Sequence, residues 1–409
     1  MYNRIMPPSG ESSNIKWINI AFRGMWVITL LLFVAIPMKM ECLQRICYWT
    51  YTFANLICLV LAFFEKNREE RIYKKKDTNL LILVLMIGAT IVSLRFTGTF
   101  VLNADNILGY FSCIGMLFLI YYSDFIKNDV ANIKFMGYIN ILIAILFLYF
   151  SRSGFAYGSG GKWNDSLTLG FANPNILAMF LFMNTIFLLI IKELFNKHIF
   201  KIVIIALIAS NIYMMYLTKA RSSLAAILIV LFIYIVKNKN FKHHPILSTL
   251  CVISPFIFIF LYTYLYEHNY FLDLEILGKT IYSGREDYYL EILHEIKLYD
   301  FGMIFGHFTE FQNTHNSALS LIRFFGLFGM TVYYIYIIIN MHNMTKNGFQ
   351  NKIAYICFVA ILAVYIQSCA ESAIILGGGA WIIFMATLYA LAGHKAWESE
   401  ENDETIGII

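Results

Sequence analysis

The stretch FQNTHNSALSLIRFFGLFGMT, residues 311–331, begins polar and ends in a run that only lipid or a protein core would accommodate, with His315 and Asn316 at the seam. The same change from wet connection to long apolar run recurs along all 409 residues. The chain is 59% hydrophobic and only 14% charged, and runs of about 20 apolar residues suit a helix that crosses a bilayer. These features exclude a soluble fold. They predict an all-α integral membrane protein, and the polar first residues, MYNRIMPPSGESSNIKWIN, are too long for the basic head of a cleaved signal, so the first span is expected to stay as an anchor.

Twelve spans are predicted, at 18–38, 46–64, 79–97, 106–122, 133–150, 167–190, 199–217, 222–236, 245–266, 316–341, 352–370 and 374–392. Counted together with the first three residues inside each span end, alternate connections hold 19 and 10 Lys plus Arg, and the richer set contains both termini, which places both in the cytoplasm. The basic stretch EKNREERIYKKKD, 65–77, reads as a topology anchor and not as a nucleic-acid site. Five of the seven cysteines lie well inside spans; only Cys42 and Cys47, the latter at the very start of the second span, could meet outside, at a spacing that matches no metal pattern. Neither a P-loop, an HExxH nor an outer carboxylate pair for a divalent ion occurs, so no cofactor and no metal are expected.

Two outer connections stand out: the Gly- and Ser-rich 151–166 and the 49-residue 267–315. Ordered connections of the second length usually carry function. Within it, Tyr289, Ile292, Leu293 and Ile296 follow Arg285 at helical spacing, which predicts an amphipathic helix along the membrane surface, with Glu291 and Glu295 turned away. The topology also brings Arg221, Arg285 and His315 to one membrane face. Each has a plain structural alternative. Arg221 and Lys219 could snorkel to headgroups, Arg285 could pair with Glu286 or Asp287, and a single interfacial histidine is ordinary.

Four blocks in order, GFANPNILA at 170–178, LTKARSSLA at 217–225, SGRED at 283–287, and HN followed by nine residues and GLFG at 315–329, resemble the O-antigen polymerase and ligase superfamily. The likeness covers about residues 165–330; the first 150 match only as generic spans. It implies a GT-C-like, metal-independent glycosyltransferase that uses a polyprenyl (undecaprenyl) diphosphate-linked oligosaccharide as donor and acceptor. A chain-length regulator and a flippase would be its partners in the bacterial cytoplasmic membrane. Residues 1–150 would form N-terminal spans, 151–345 the catalytic region, and 346–409 the C-terminal spans and a cytoplasmic tail.

The resemblance carries functional roles onto Arg221 and Arg285, as diphosphate ligands, and onto His315, as the catalytic residue. Guanidinium forks bind phosphate oxygens bidentately and remain charged. His315 would accept the proton of the attacking sugar hydroxyl, with the two guanidiniums favouring its neutral form. Asn316 would orient that ring or, the preferred role, cap the tenth span. Asn173 and Asn175 flank Pro174, which either starts a half-helix at its first position or kinks the sixth span. Arg323, about 12 Å below His315 along a helix, needs an inward partner, and Glu371 is the candidate. The composition, rich in Ile, Phe, Tyr, Lys and Asn, suggests an AT-rich genome. That favours a polymerase of capsular, exopolysaccharide or O-antigen chains over a ligase acting on lipid A core, and a lipid flippase or anion transporter is the alternative from another class.

Overall fold

The computed structural model describes residues 13–73, 130–153, 165–195, 197–236, 245–282, 284–295, 301–306, 315–345, 352–371 and 380–392, with isolated positions 85, 88, 157 and 349 besides. It is a helical bundle: α1 Ser13–Ala35, α2 Glu41–Tyr73, α3 Val130–Phe150, α4 Pro174–Leu194, α5 His198–Leu217, α6 Arg221–Val236, α7 Pro245–Glu267, α8 Glu286–Glu295, α9 Phe301–Phe305, α10 Ser317–Thr345, α11 Lys352–Gln367 and α12 Ala380–Ala392. Among the described residues six segments are long and apolar enough to cross a membrane: Lys16–Ala35, Asn132–Phe150, Pro174–Leu194, His198–Leu217, Pro245–Glu267 and Phe325–Thr345. The chain is therefore membrane-embedded. The predicted spans at 79–97 and 106–122 lie outside the described residues.

α4 is the central column, buried without interruption from Leu177 to Ile191. Around it, peripheral helices expose large apolar side chains, such as Ile199 and Ile202 on α5, Phe232 and Ile235 on α6, and Ile246 and Leu261 on α7. An apolar exterior around fully hydrogen-bonded helices is what hydrocarbon tolerates. Inside, polar side chains pair between helices, which lipid cannot do for them. Asn184 of α4 donates to Asn140 Oδ1 of α3 at 3.0 Å and accepts from Asn211 of α5 at 2.8 Å. Arg23 of α1 donates to Asn132 of α3 at 2.6 Å.

The sequence pattern runs the sixth span from 167, but the helix begins at Pro174. Proline lacks the N–H and its ring would strike the carbonyl four residues back, so a helix can start there but not pass through undisturbed. Residues 167–173 instead form an irregular approach, in which Gly170, at φ +81°, lies against Ile36 O so closely that an added Cβ would sit 2.9 Å from it. Pro255 stands inside α7. The Cys251 carbonyl that it cannot bond accepts from the Ser254 hydroxyl at 2.7 Å.

Two further departures lie in the long connection and in α10. Within 267–315 a two-residue hairpin, β1 Glu275–Ile276 and β2 Lys279–Thr280, pairs Glu275 with Thr280 and Ile276 with Lys279, where the sequence pattern predicts only helix and loop. Its turn residues Leu277 and Gly278 both have positive φ, 54° and 69°, the mark of the turn whose twist matches paired strands. α10 breaks at Gly326, with φ 67° and ψ −176°, a conformation essentially restricted to glycine. A Cβ at this position would collide with the carbonyl of Ile304 in α9. The first glycine of GLFG thus lets α9 pack directly on the α10 backbone.

Candidate functional site

Several chain ends meet at one end of the bundle: the starts of α4, α6 and α10, the end of α11, and the segment that leads into α8. Cap residues set the helix starts. Asn173 Oδ1 accepts from Asn175 N at 2.8 Å, with Pro174 in the first turn. Asn316 Oδ1 accepts from the amides of Ala318 and Leu319 at 2.8 and 3.1 Å. Of the two roles open to Asn316 the cap is the one observed, and its amide does more. Nδ2 donates to Pro255 O of α7 at 2.9 Å and to Cys369 O after α11 at 3.0 Å, so one buried side chain ties three segments. Ser317 N also donates to Ser368 O at 3.1 Å, and Gln367 bonds Ser223 of α6.

Glu371 is the hub. Its carboxylate is almost fully buried, and Oε1 accepts from Asn175 at 2.6 Å and from Arg285 Nη2 at 3.2 Å. Oε2 faces His315 Nδ1 at 3.7 Å. Arg285 also donates through Nη1 to Ala370 O at 2.7 Å, so it is anchored to the end of α11 and not to its neighbours Glu286 and Asp287 as a local pair would have it. The sequence makes Glu371 the candidate partner of Arg323. Glu371 is held by Asn175, Arg285 and His315; the side chain of Arg323 lies outside the described residues.

Arg221 opens α6, and its Nη1 donates to the carbonyls of Lys279 and Thr280 at 3.1 and 2.8 Å. The hairpin therefore takes up one edge of the guanidinium that snorkelling would have sent to headgroups. Arg221 and Arg285 are close enough for their charges to repel. Lys279, which no sequence motif singles out, joins them. Burial, then Arg221, Lys219 and Arg285, hold its ammonium below the usual lysine range, with Glu371 opposing. Nothing in the residues around Lys279 marks it as special; only the hairpin brings it here.

His315 adopts a left-handed backbone, φ 49°, where histidine is more at home than most residues. Its carbonyl accepts from the Tyr289 hydroxyl at 3.0 Å, and burial pushes that phenol well above the ordinary tyrosine range. Tyr289 comes from the predicted amphipathic helix. That helix is α8, whose Ile292 and Leu293 pack on the core while Glu291 is exposed; Ile296 lies outside the described residues. Tyr289 and Tyr282 pack on Tyr262 of α7, with ring centroids 5.4 and 5.1 Å apart, which fixes the segment carrying Arg285.

The arrangement sets three cations from two loops and a helix start near one another, with the buried Glu371 carboxylate on Arg285 and a part-exposed imidazole at its edge. The starts of α4, α6 and α10 add the positive ends of their dipoles. Such a field attracts an anion. Cys42 and Cys47 are free thiols, and among the described residues no three His, Cys, Asp or Glu side chains are grouped to hold a metal. No protein-family model, curated protein or solved structure matches the chain.

Proposed function

We propose that this protein is a polysaccharide polymerase. It joins polyprenyl-diphosphate-linked oligosaccharide repeat units at the outer face of the bacterial cytoplasmic membrane, with twelve spans in a GT-C-like arrangement and both termini in the cytoplasm. The observation that carries the reading is the convergence of Arg221, Arg285 and His315 from three distant segments on one end of the bundle, in contact with or beside Glu371 and the 275–280 hairpin.

Arg221 and Arg285 hold the diphosphate and take up the charge that grows on it as the glycosidic bond breaks. Lys279 adds a third positive charge. The acceptor sugar hydroxyl attacks the anomeric carbon, its proton passes to His315, and polyprenyl diphosphate leaves with the bonding electron pair. The donor carries its own activation, so no nucleotide is consumed.

The test is purified protein in liposomes supplied with the host's lipid-linked oligosaccharide. New glycosidic bonds between repeat units support the polymerase. Movement of the lipid across the bilayer without new bonds would identify a transporter, and transfer only to lipid A core would identify a ligase.

A further inference from the structure

We propose that Glu371 is the positioning residue for His315: its carboxylate fixes the imidazole through Nδ1 and leaves Nε2 to take the proton of the acceptor hydroxyl. The inference rests on the polymerase reading for the identity of that hydroxyl, and on geometry for the pairing itself. Nδ1 of His315 is buried whereas the side chain as a whole is 31% exposed. Oε2 of Glu371 faces the buried nitrogen at 3.7 Å, within ion-pair reach and longer than a direct hydrogen bond.

The other carboxylate oxygen explains both the gap and how it closes. Oε1 is shared by Asn175 and Arg285, so Glu371 is stretched between a guanidinium and an imidazole. An anion that engages Arg285 competes for that guanidinium and frees the carboxylate to settle on Nδ1. Donor binding then completes the orientation of the base, the relationship a carboxylate has to histidine in other histidine-dependent catalysts. The surrounding structure supports this role. Tyr289 holds the His315 carbonyl, and Asn316 and Ser317 lock the backbone beside it to the 368–371 turn, so the ring and the carboxylate share one frame.

The experiment has a readout independent of turnover. In protein labelled with ¹⁵N-histidine, loaded with undecaprenyl diphosphate and recorded at alkaline pH, His315, identified by its loss in His315→Gln, is expected to carry its proton on Nδ1, the tautomer a facing carboxylate selects. An Nε2–H tautomer would overturn the proposal, whether or not the protein forms polymer. The second arm separates positioning from scaffolding. Glu371→Gln is expected to lower turnover by up to about 10⁴-fold, the loss seen when an orienting carboxylate is replaced by its amide, while binding undecaprenyl diphosphate as well as the unaltered protein or better, because Arg285 loses a competitor. Glu371→Asp, which keeps the charge on a shorter arm, is expected to recover part of the loss. Weakened diphosphate binding with full turnover at saturation would make Glu371 a strut for Arg285 and reject positioning. If Glu371→Gln does not insert, Glu371→Asp and the tautomer decide. A protein that forms no glycosidic bonds would sink the polymerase reading alone.

Discussion

Arg285 donates to Glu371 at 3.2 Å across 86 residues of sequence, and that pair joins the long connection to the end of α11. Arg285 thereby has a fixed place at the mouth of the bundle and a carboxylate that, in the proposed function, an incoming phosphate would displace. A buried ion pair of this kind contributes little net stability, since desolvation offsets most of the attraction. Its value lies in holding a fork-shaped donor ready.

The first expected outcome concerns the fork. Arg285→Lys keeps the charge and loses bidentate geometry, so polymer formation should fall to a small fraction, whereas Arg285→Ala and Arg221→Ala should abolish it at normal membrane levels. Loss of one charged contact in a shielded site costs about 2–4 kcal/mol of transition-state stabilisation, or roughly two to three decades in rate. Polymer yield from a deletion strain complemented with each variant measures this. Full activity in Arg285→Ala would reduce the residue to a structural ion-pair member.

Turnover should persist in EDTA, because two guanidiniums and Lys279 supply the positive charge that a divalent ion would otherwise bring. The check is polymer formation by purified protein after chelation. Activity that disappears and returns with added divalent ion would contradict a metal-independent mechanism.

His315→Ala should bind the diphosphate donor nearly as well as the unaltered protein yet fail to turn it over, and His315→Gln should be almost as poor. A base acts only without its proton, so in that role the rate rises with pH. If His315 instead sits protonated on the phosphates as a further cation, the rate falls as pH rises and His315→Arg restores activity. A pH–rate profile of the purified protein separates the two.

Gly326→Ala should destabilise the protein without touching the site. The backbone conformation alone costs about 1–3 kcal/mol for a residue with a side chain, and the Cβ would meet the Ile304 carbonyl, forcing α9 away. Thermal unfolding in detergent should show a clear fall in Tm. An unchanged Tm would mean that the break in α10 is absent from the protein in solution.

Asn316→Asp preserves the oxygen that caps α10 and removes the two donors to Pro255 and Cys369, so it distinguishes the residue's two functions. A loss of stability comparable to that of Asn316→Ala is expected. Each lost hydrogen bond costs about 0.5–1.5 kcal/mol, against about 1 kcal/mol for a lost cap. Thermal unfolding of the two variants side by side is the measurement.

The membrane class, most helix positions and the amphipathic α8 are legible in the sequence because they depend on local periodicity and on apolar length. Asn316 is legible as a helix start for the same reason, since a cap is satisfied within three residues of itself, and Pro174 as either a start or a kink. Arg221, Arg285 and His315 stand out through spacing and resemblance, and the chain does bring them to one end of the bundle. The start of the sixth span is not legible in hydropathy, which runs on from 167. Apolar residues continue ahead of Pro174, and the missing proline N–H outweighs them.

By itself the sequence determined that this chain lives in a bilayer as packed helices, and it singled out the cations at one end, because burial in lipid and charge bias are properties of segments taken one at a time. Only the tertiary structure decided that Glu371 belongs to Arg285, His315 and Asn175, that a hairpin carries Lys279 to the site and clasps Arg221, and that Gly326 admits α9. Those are pairings between residues far apart in the chain. Their energies depend on distances that no local pattern encodes, and they are fixed by how the ends of α4, α6, α10 and α11 come together.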